Sequence, residues 1–185
     1  GGFSLFEPRA IYREAKMFGE SLCAFFKETR GVNAKIARIS HVYGPGASRS
    51  DRRVLSDFIR KALLYKKIAL LDAGDAVKTY GYVGDVAKMI MRVAFFGKET
   101  VYNVGGIDSL SIKRLAELVG KYTEAKVVIP RTVSRGRHIG KEPRYVRLDL
   151  KRVLREMRGF RFTNLEEGIR KTIKWHGEEL GPLDQ

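Results

Sequence analysis

The sequence holds a single cysteine, Cys23, so it cannot build a disulfide framework. Flanked by Leu22, Ala24 and Phe25, that thiol reads as a core residue, no metal-ligand set is read elsewhere, and the cytoplasm is the compartment to expect. No apolar run approaches the ~20 residues that cross a bilayer, so no membrane partner is expected. Gly1-Gly2-Phe3-Ser4 has neither a basic nor an apolar signal region. The first residue is not Met, which reads as a trimmed piece or the tail of a longer chain. Side-chain amides are scarce, at three Asn and one Gln, which leans towards a thermophile. Acidic residues are also short: 21 Asp and Glu face 36 Lys and Arg, for a net charge of +15.

That charge is uneven. The stretch Arg131 to Arg161 carries eleven Lys or Arg against Glu142, Asp149 and Glu156. It reads first as a solvated basic face; as a binding surface it suits nucleic acid, an anionic membrane surface or a phosphorylated small molecule. Nucleic acid is favoured by charge alone, since Tyr145, Phe160 and Phe162 are the main aromatics available for stacking. The remaining composition is ordinary: 185 residues, 44% hydrophobic and 31% charged, enough for one domain with a core or a domain and a small lobe.

The most informative pattern is Tyr12-Arg13-Glu14-Ala15-Lys16. Residues four apart share a helix face, so a phenol and an ammonium lie together. A phenol is a poor base at neutral pH, with an ordinary pKa of about 10. A nearby ammonium favours the phenolate and makes it useful for proton transfer. The same spacing also occurs on ordinary solvated helices.

Ile11, Ala15, Phe18, Leu22, Phe25 and Phe26 recur at helical spacing between Pro8 and Gly31. They predict a helix over 9–29 that buries one stripe and presents Tyr12, Lys16 and Glu20 along another. Ala34 to Ile39 reads as a buried strand before the Gly44-Pro45-Gly46 turn, and Val54, Phe58, Ile59, Ala62 and Leu63 as a second helix. Further strands are predicted at 68–71, 100–104 and 127–129, with helices at 85–96 after the 78–83 segment, from Ser111, from Asp149 to Met157, and to Glu179. Ser111 and Asp149 are read as caps, and Thr163-Asn164-Leu165-Glu166 as a capping box. Arg131 to Gly140 reads as a loop. Strands alternating with helices imply an α/β chain.

Read in order, the landmarks are Tyr12-x-x-x-Lys16-x-x-x-Glu20, Arg38-x-x-His41-x-Tyr43-Gly44-Pro45-Gly46, and Asp51-Arg52-Arg53-Val54-Leu55-Ser56-Asp57-Phe58. Tyr82-Val83-Gly84-Asp85, Tyr102-Asn103-Val104-Gly105 and Thr163-x-Leu165-Glu166-Glu167-Gly168 follow. The series resembles the extended short-chain dehydrogenase/reductases, namely the NAD-dependent nucleotide-sugar epimerases and dehydratases, over roughly residues 7–176. The 51–58 segment is most similar to the UDP-glucuronate decarboxylase branch.

The resemblance implies the C-terminal part of a Rossmann-like fold plus a small substrate lobe. Residues 1–45 would belong to the first and 46–185 mainly to the second, with about 78–104 returning to the Rossmann-like part. It implies Tyr12 and Lys16 as catalytic and cofactor-contacting residues, Ser40 as a further contact to NAD, and substrate contacts at His41, Val54, Lys78, Arg144 and Arg147. A homodimer through the first helix is expected as well. Three departures stand out. His41 replaces the usual Asn, Lys78 replaces an Arg that grips the diphosphate, and Gly46 replaces the Arg after Gly-Pro. The dinucleotide fingerprint G-x-G-x-x-G is not among the 185 residues, since Gly44-Pro45-Gly46-Ala47-Ser48-Arg49 fails at its last position. The N-terminal dinucleotide-binding half is therefore expected to be absent, and the 185 residues alone to be inactive. The competing reading is a non-catalytic binding module or remnant with a basic surface for a nucleotide, nucleic acid or a partner chain.

Overall fold

The apolar period of the first segment does produce a helix, but not a buried one. In the computed structural model, which describes residues 10–48, 50–130 and 145–180, α1 (Ala10–Arg30) buries only Ala10. Ile11 is 77% exposed, Phe18 65% and Phe25 56%, and Cys23 is only half-buried. The expected buried stripe and core thiol are thus corrected: nothing among the described residues covers that face. Gly31, at φ +66, ends the helix in the left-handed region that glycine adopts without strain. Among the contacts of α1 with neighbouring described segments are two polar ones. The Arg38 guanidinium donates to the Glu20 carboxylate at 2.5 and 2.8 Å, and Lys27 Nζ donates to Thr100. Surface pairs of this kind contribute about 0–1 kcal/mol.

Strand β1 (Ile36–Ile39) and strand β2 (His41–Tyr43) follow. β1 is half-buried with Arg38 and Ile39 exposed, not the buried strand expected from its sequence. Then come α2 (Val54–Tyr65), β3 (Lys67–Ala69), β4 (Val77–Tyr82), α3 (Val83–Phe96), β5 (Val101–Val104) and β6 (Asp108–Ser111). The chain closes with α4 (Ile112–Thr123), β7 (Lys126–Val128), β8 (Tyr145–Val146), α5 (Lys151–Arg155) and α6 (Leu165–Leu180). The expected loop at Arg131 to Gly140 lies outside the described residues.

Three small sheets result. β1 pairs in parallel with β5, from Ile36↔Val101 to Ile39↔Val104. β4 is the centre of the second: parallel to β2 and β8, and antiparallel to β6. β3 and β7 form a third, parallel pair.

Two apolar cores hold these layers. One joins α2, α4 and α6 through Ile59, Leu115, Val119 and Ile169, all fully buried. At about 1.5–3 kcal/mol for each large side chain buried, this is the main stabilising mass of the molecule. The other seats α3 and α5 on β5 through Met89, Tyr102, Val104 and Val153.

Capping follows the sequence in part. Ser111 Oγ accepts from the Arg114 peptide N–H at 3.1 Å. Asp149 Oδ1 accepts from Lys151 N at 2.8 Å, but the N-cap residue of α5 is Leu150, and the helix stops at Arg155 rather than Met157. The cap of α6 is Asn164, whose Oδ1 accepts from Glu166 N at 3.0 Å and Glu167 N at 3.3 Å. Thr163 is not the cap. Its N–H and hydroxyl donate to buried Asp85 at 2.7 and 3.0 Å, tying the start of α6 to α3.

Candidate functional site

Tyr12 and Lys16 stand on the open side of α1. Tyr12 is 68% exposed, and Lys16 Nζ lies 5.4 Å from its ring centroid. The shared helix face is therefore real, and the pair looks out of the fold. Two unit charges 4 Å apart attract by only about 1 kcal/mol in bulk water and by several times that once water is excluded. The pair gains chemical leverage only when something covers it. Among the described residues no hydrogen bond joins Tyr12 or Lys16 to Ser40, His41 or Lys78.

Ser40 lies just past the end of β1. Its peptide N–H donates to Val104 O at 3.0 Å, which seats the residue against the Val104-Gly105 turn. A Cβ at Gly105 would overlap Ser40 Oγ, so only glycine fits there. That hydroxyl is buried with no hydrogen-bond partner among the described residues. A buried polar atom left unpaired costs about 1–3 kcal/mol, which marks Ser40 as a group suited to an external partner.

His41 is exposed on β2, edge-on to Tyr80 with ring centroids 6.1 Å apart. Lys78 sits two residues earlier than Tyr80 on β4 and is only 6% exposed, engaged inside the protein. Val54 opens α2 at 40% exposure, and Arg147 is exposed. Arg144 lies outside the described residues. The candidates therefore fall into separate groups: Tyr12 with Lys16, Ser40 with His41 and the β4 residues, and Val54 at the start of α2.

A further cluster escaped the sequence reading. After the Gly44-Pro45-Gly46 turn, Asp51 accepts from Arg53 Nε at 3.0 Å, from Arg53 N at 3.0 Å and from Ser56 Oγ at 2.8 Å. Burial pushes the Asp51 carboxyl up, but the Arg53 side-chain and backbone hydrogen bonds and the Ser56 hydroxyl outweigh it and hold the pKa at about 2. Arg53 also donates to Val42 O at 3.3 Å, and it lines a small cavity of about 100 Å³ with Tyr43, Gly44 and Pro45. Gly44, at φ +143, lies where any Cβ would overlap Val83. The signal was present as Asp51-x-Arg53, an Asx-type turn ahead of a helix.

Tyr43 lines this cavity, and Tyr80 on β4 is a second buried phenol. Burial, reinforced by Asp108, Asp85 and Tyr82, pushes Tyr43 well above its ordinary range, and burial pushes Tyr80 up to about 12. On α6, His176 is buried with Nε2 unpartnered among the described residues. Burial lowers its pKa, and Arg60 adds to that against the opposing fields of Asp51 and Glu179.

Comparison with known proteins is consistent across sequence and structure. The family model described as NAD dependent epimerase/dehydratase family matches residues 3–105. UDP-glucuronic acid decarboxylase 1 of Xenopus tropicalis is 27% identical over 173 residues, covering 94% of this chain and 40% of the relative. A dTDP-4-dehydro-6-deoxy-D-allose reductase of Streptomyces bikiniensis is 30% identical over 166 residues, 89% of this chain and 49% of the relative. Among solved structures, Bordetella bronchiseptica WbmF in complex with NAD+ and UDP superimposes at a TM-score of 0.76 and 27% identity, over 97% of this chain and 56% of that one. UDP-glucose 4-epimerase of Thermotoga maritima matches at a TM-score of 0.78 and 24% identity, over 94% and 54% of the two chains, a likeness of fold. The chain thus spans roughly half the length, or less, of these relatives.

Proposed function

The chain belongs to the NAD dependent epimerase/dehydratase family, and on that premise we propose that it supplies the catalytic helix and the nucleotide-sugar portion of an NAD-dependent enzyme acting on a nucleotide sugar. The observation that carries this reading is the Tyr12–Lys16 pair, with the ammonium 5.4 Å from the phenol ring on an open helix face.

Bound NAD supplies the acceptor for hydride from a sugar carbon. In this reading Tyr12 takes the proton from the hydroxyl on that carbon, and Lys16 stabilises the phenolate electrostatically and holds the cofactor ribose. The residues present fit one end of the dinucleotide. The Ser40 hydroxyl, a donor and acceptor unpartnered among the described residues and beside Gly105, supports a contact there. The glycine-rich turn that cradles the pyrophosphate is not among these 185 residues.

On the substrate side, His41 and Val54 are the proposed contacts, with Arg144 and Arg147 for the diphosphate. Arg53 joins them because the cavity it lines opens at the Gly44 turn. Lys78 serves in this role only through its position on β4 between β2, β6 and β8, given its burial. The division near residue 45, with 78–104 returning to the Rossmann-like part, belongs to the same proposal.

Exposure of Phe18, Phe25 and Ile11 on α1 supports a homodimer through this helix. The single cysteine suits a reducing compartment such as the cytoplasm, and no described helix is long and apolar enough to cross a membrane.

The test is turnover of nucleotide sugars by the full-length protein with NAD. Tyr12→Phe should lower kcat by about 10²–10⁴-fold, the usual worth of a positioned acid/base group. Unchanged kcat would refute the assignment.

A further inference from the structure

Beside the edge of β5 lies an open groove of about 860 Å³, bounded by Arg38 and Asn103 on the sheet and by Lys151, Arg152 and Arg155 of α5. Neither Tyr12, Lys16, Ser40 nor the Gly44 turn lines it. One cation of its wall, Arg152, and the backbone around it are fixed in place. Arg152 Nη1 donates to Val101 O at 2.7 Å, Asn103 Nδ2 donates to Asp149 O at 3.0 Å, and Val153 is fully buried in the core beneath.

The local charges are poorly matched within the protein. Arg38 is neutralised by Glu20, and the Asp149 carboxylate accepts from the Lys151 peptide N–H. Lys151 and Arg155 are exposed, one helical turn apart, and their side chains make no ion pair or hydrogen bond among the described residues. Like charges at this spacing repel, and an anion between them would reverse the sign of that contribution. Arg152 uses one of its five N–H donors on Val101 O.

The groove also has apolar wall, from Val101 and Leu154, and its volume falls within the ~300–1,000 Å³ of small-molecule sites. No aromatic ring lines it for base stacking along a strand. The edge of β5 is taken by α5, whereas the far edge of β1 has no strand partner among the described residues.

We propose that this groove is a second ligand site, separate from the nucleotide-sugar region, for a small molecule carrying a chain of phosphates held by Lys151, Arg152 and Arg155. Inorganic polyphosphate and nucleoside polyphosphates share that chemistry. The test is calorimetric titration of the full-length protein with inorganic tripolyphosphate at low salt. Lys151→Ala/Arg155→Ala is compared with Lys113→Ala/Lys126→Ala, which removes the same charge from exposed positions outside the groove. The groove pair should weaken binding about tenfold or more, as expected for two lost charge-assisted hydrogen bonds, and the control pair by less than about threefold.

Lys151→Arg/Arg155→Lys should retain binding, which separates loss of charge from loss of fold. A gain for ATP over tripolyphosphate would identify a nucleotide as the ligand, and equal affinities an inorganic chain; either supports the site. No binding by the wild type, equal loss in both alanine pairs, displacement by a nucleotide sugar, or tighter binding of a thymidine oligonucleotide through the same residues would overturn the proposal.

Discussion

α1 and α4 look alike as sequences and behave oppositely in the fold. Both are amphipathic, yet α4 buries Leu115, Ala116, Leu118, Val119, Gly120 and Thr123, whereas α1 buries Ala10 alone. The partner of the α4 stripe lies within the chain, on α2 and α6. The α1 stripe meets no described partner, and polar contacts such as Glu20 with Arg38 and Lys27 with Thr100 fasten that helix to the rest. An apolar period therefore forecasts that a face will be covered, but not by what. In this molecule the uncovered helix is also the one that carries Tyr12 and Lys16.

The contrast can be broken or sharpened by substitution, beginning with the largest change in stability. Leu115→Ala removes a fully buried side chain and should cost about 2–5 kcal/mol, read by chemical denaturation. Asp85→Ala removes the acceptor for both Thr163 donors and should cost about 2 kcal/mol. It should also free the start of α6, visible as faster amide exchange at Thr163. Ser111→Ala should cost about 1 kcal/mol through the lost α4 cap. Phe18→Ala, although it removes more apolar surface than the cap, should change the stability of the monomer by less than about 0.5 kcal/mol because the ring is 65% exposed. A loss as large as that of Leu115→Ala in dilute monomer would show that α1 is covered from within the chain.

Acid probes two shifted groups outside α1, His176 and Asp51, while on α1 the Arg38 guanidinium holds the Glu20 carboxyl below its ordinary value. His176 is held neutral by burial, so its contribution is fully present above about pH 6.5 and declines as pH falls below that value. Asp51, held at about 2, contributes fully above about pH 4 and loses that contribution as pH falls towards 2. Stability should therefore fall in two acid steps, and His176→Gln should remove the upper one. A single step below pH 4 in both proteins would contradict the burial-driven shift at His176.

Much of the architecture was legible in the sequence because local signals and packing agree there. The period in Val54 to Leu63, the Ser111 cap and the Gly31 stop each match what the chain forms. β6 was not legible, because Asp108 and Ser109 carry turn chemistry and the strand exists only through its antiparallel register with β4. The α6 cap slipped by one residue because buried Asp85, far away in sequence, claims both donors of Thr163. At the site, spacing alone put Tyr12 and Lys16 on one helix face, whereas the role proposed for them came from the ordered series of motifs. The burial of Lys78 was not legible, since it depends on contacts made after the chain folds, whereas the Asp51–Arg53–Ser56 cluster is local and its Asx-type signal went unused.

The central claim is that the exposed Tyr12–Lys16 face of α1 is a proton-transfer site. The most direct measurement is single-turnover formation of reduced nicotinamide, followed by absorbance in the full-length protein mixed with NAD and a panel of nucleotide sugars. The account predicts a transient in the wild type that slows by about 10²–10⁴-fold in Tyr12→Phe and comparably in Lys16→Ala, with nucleotide-sugar affinity retained in both. A transient of wild-type rate in Tyr12→Phe would contradict it.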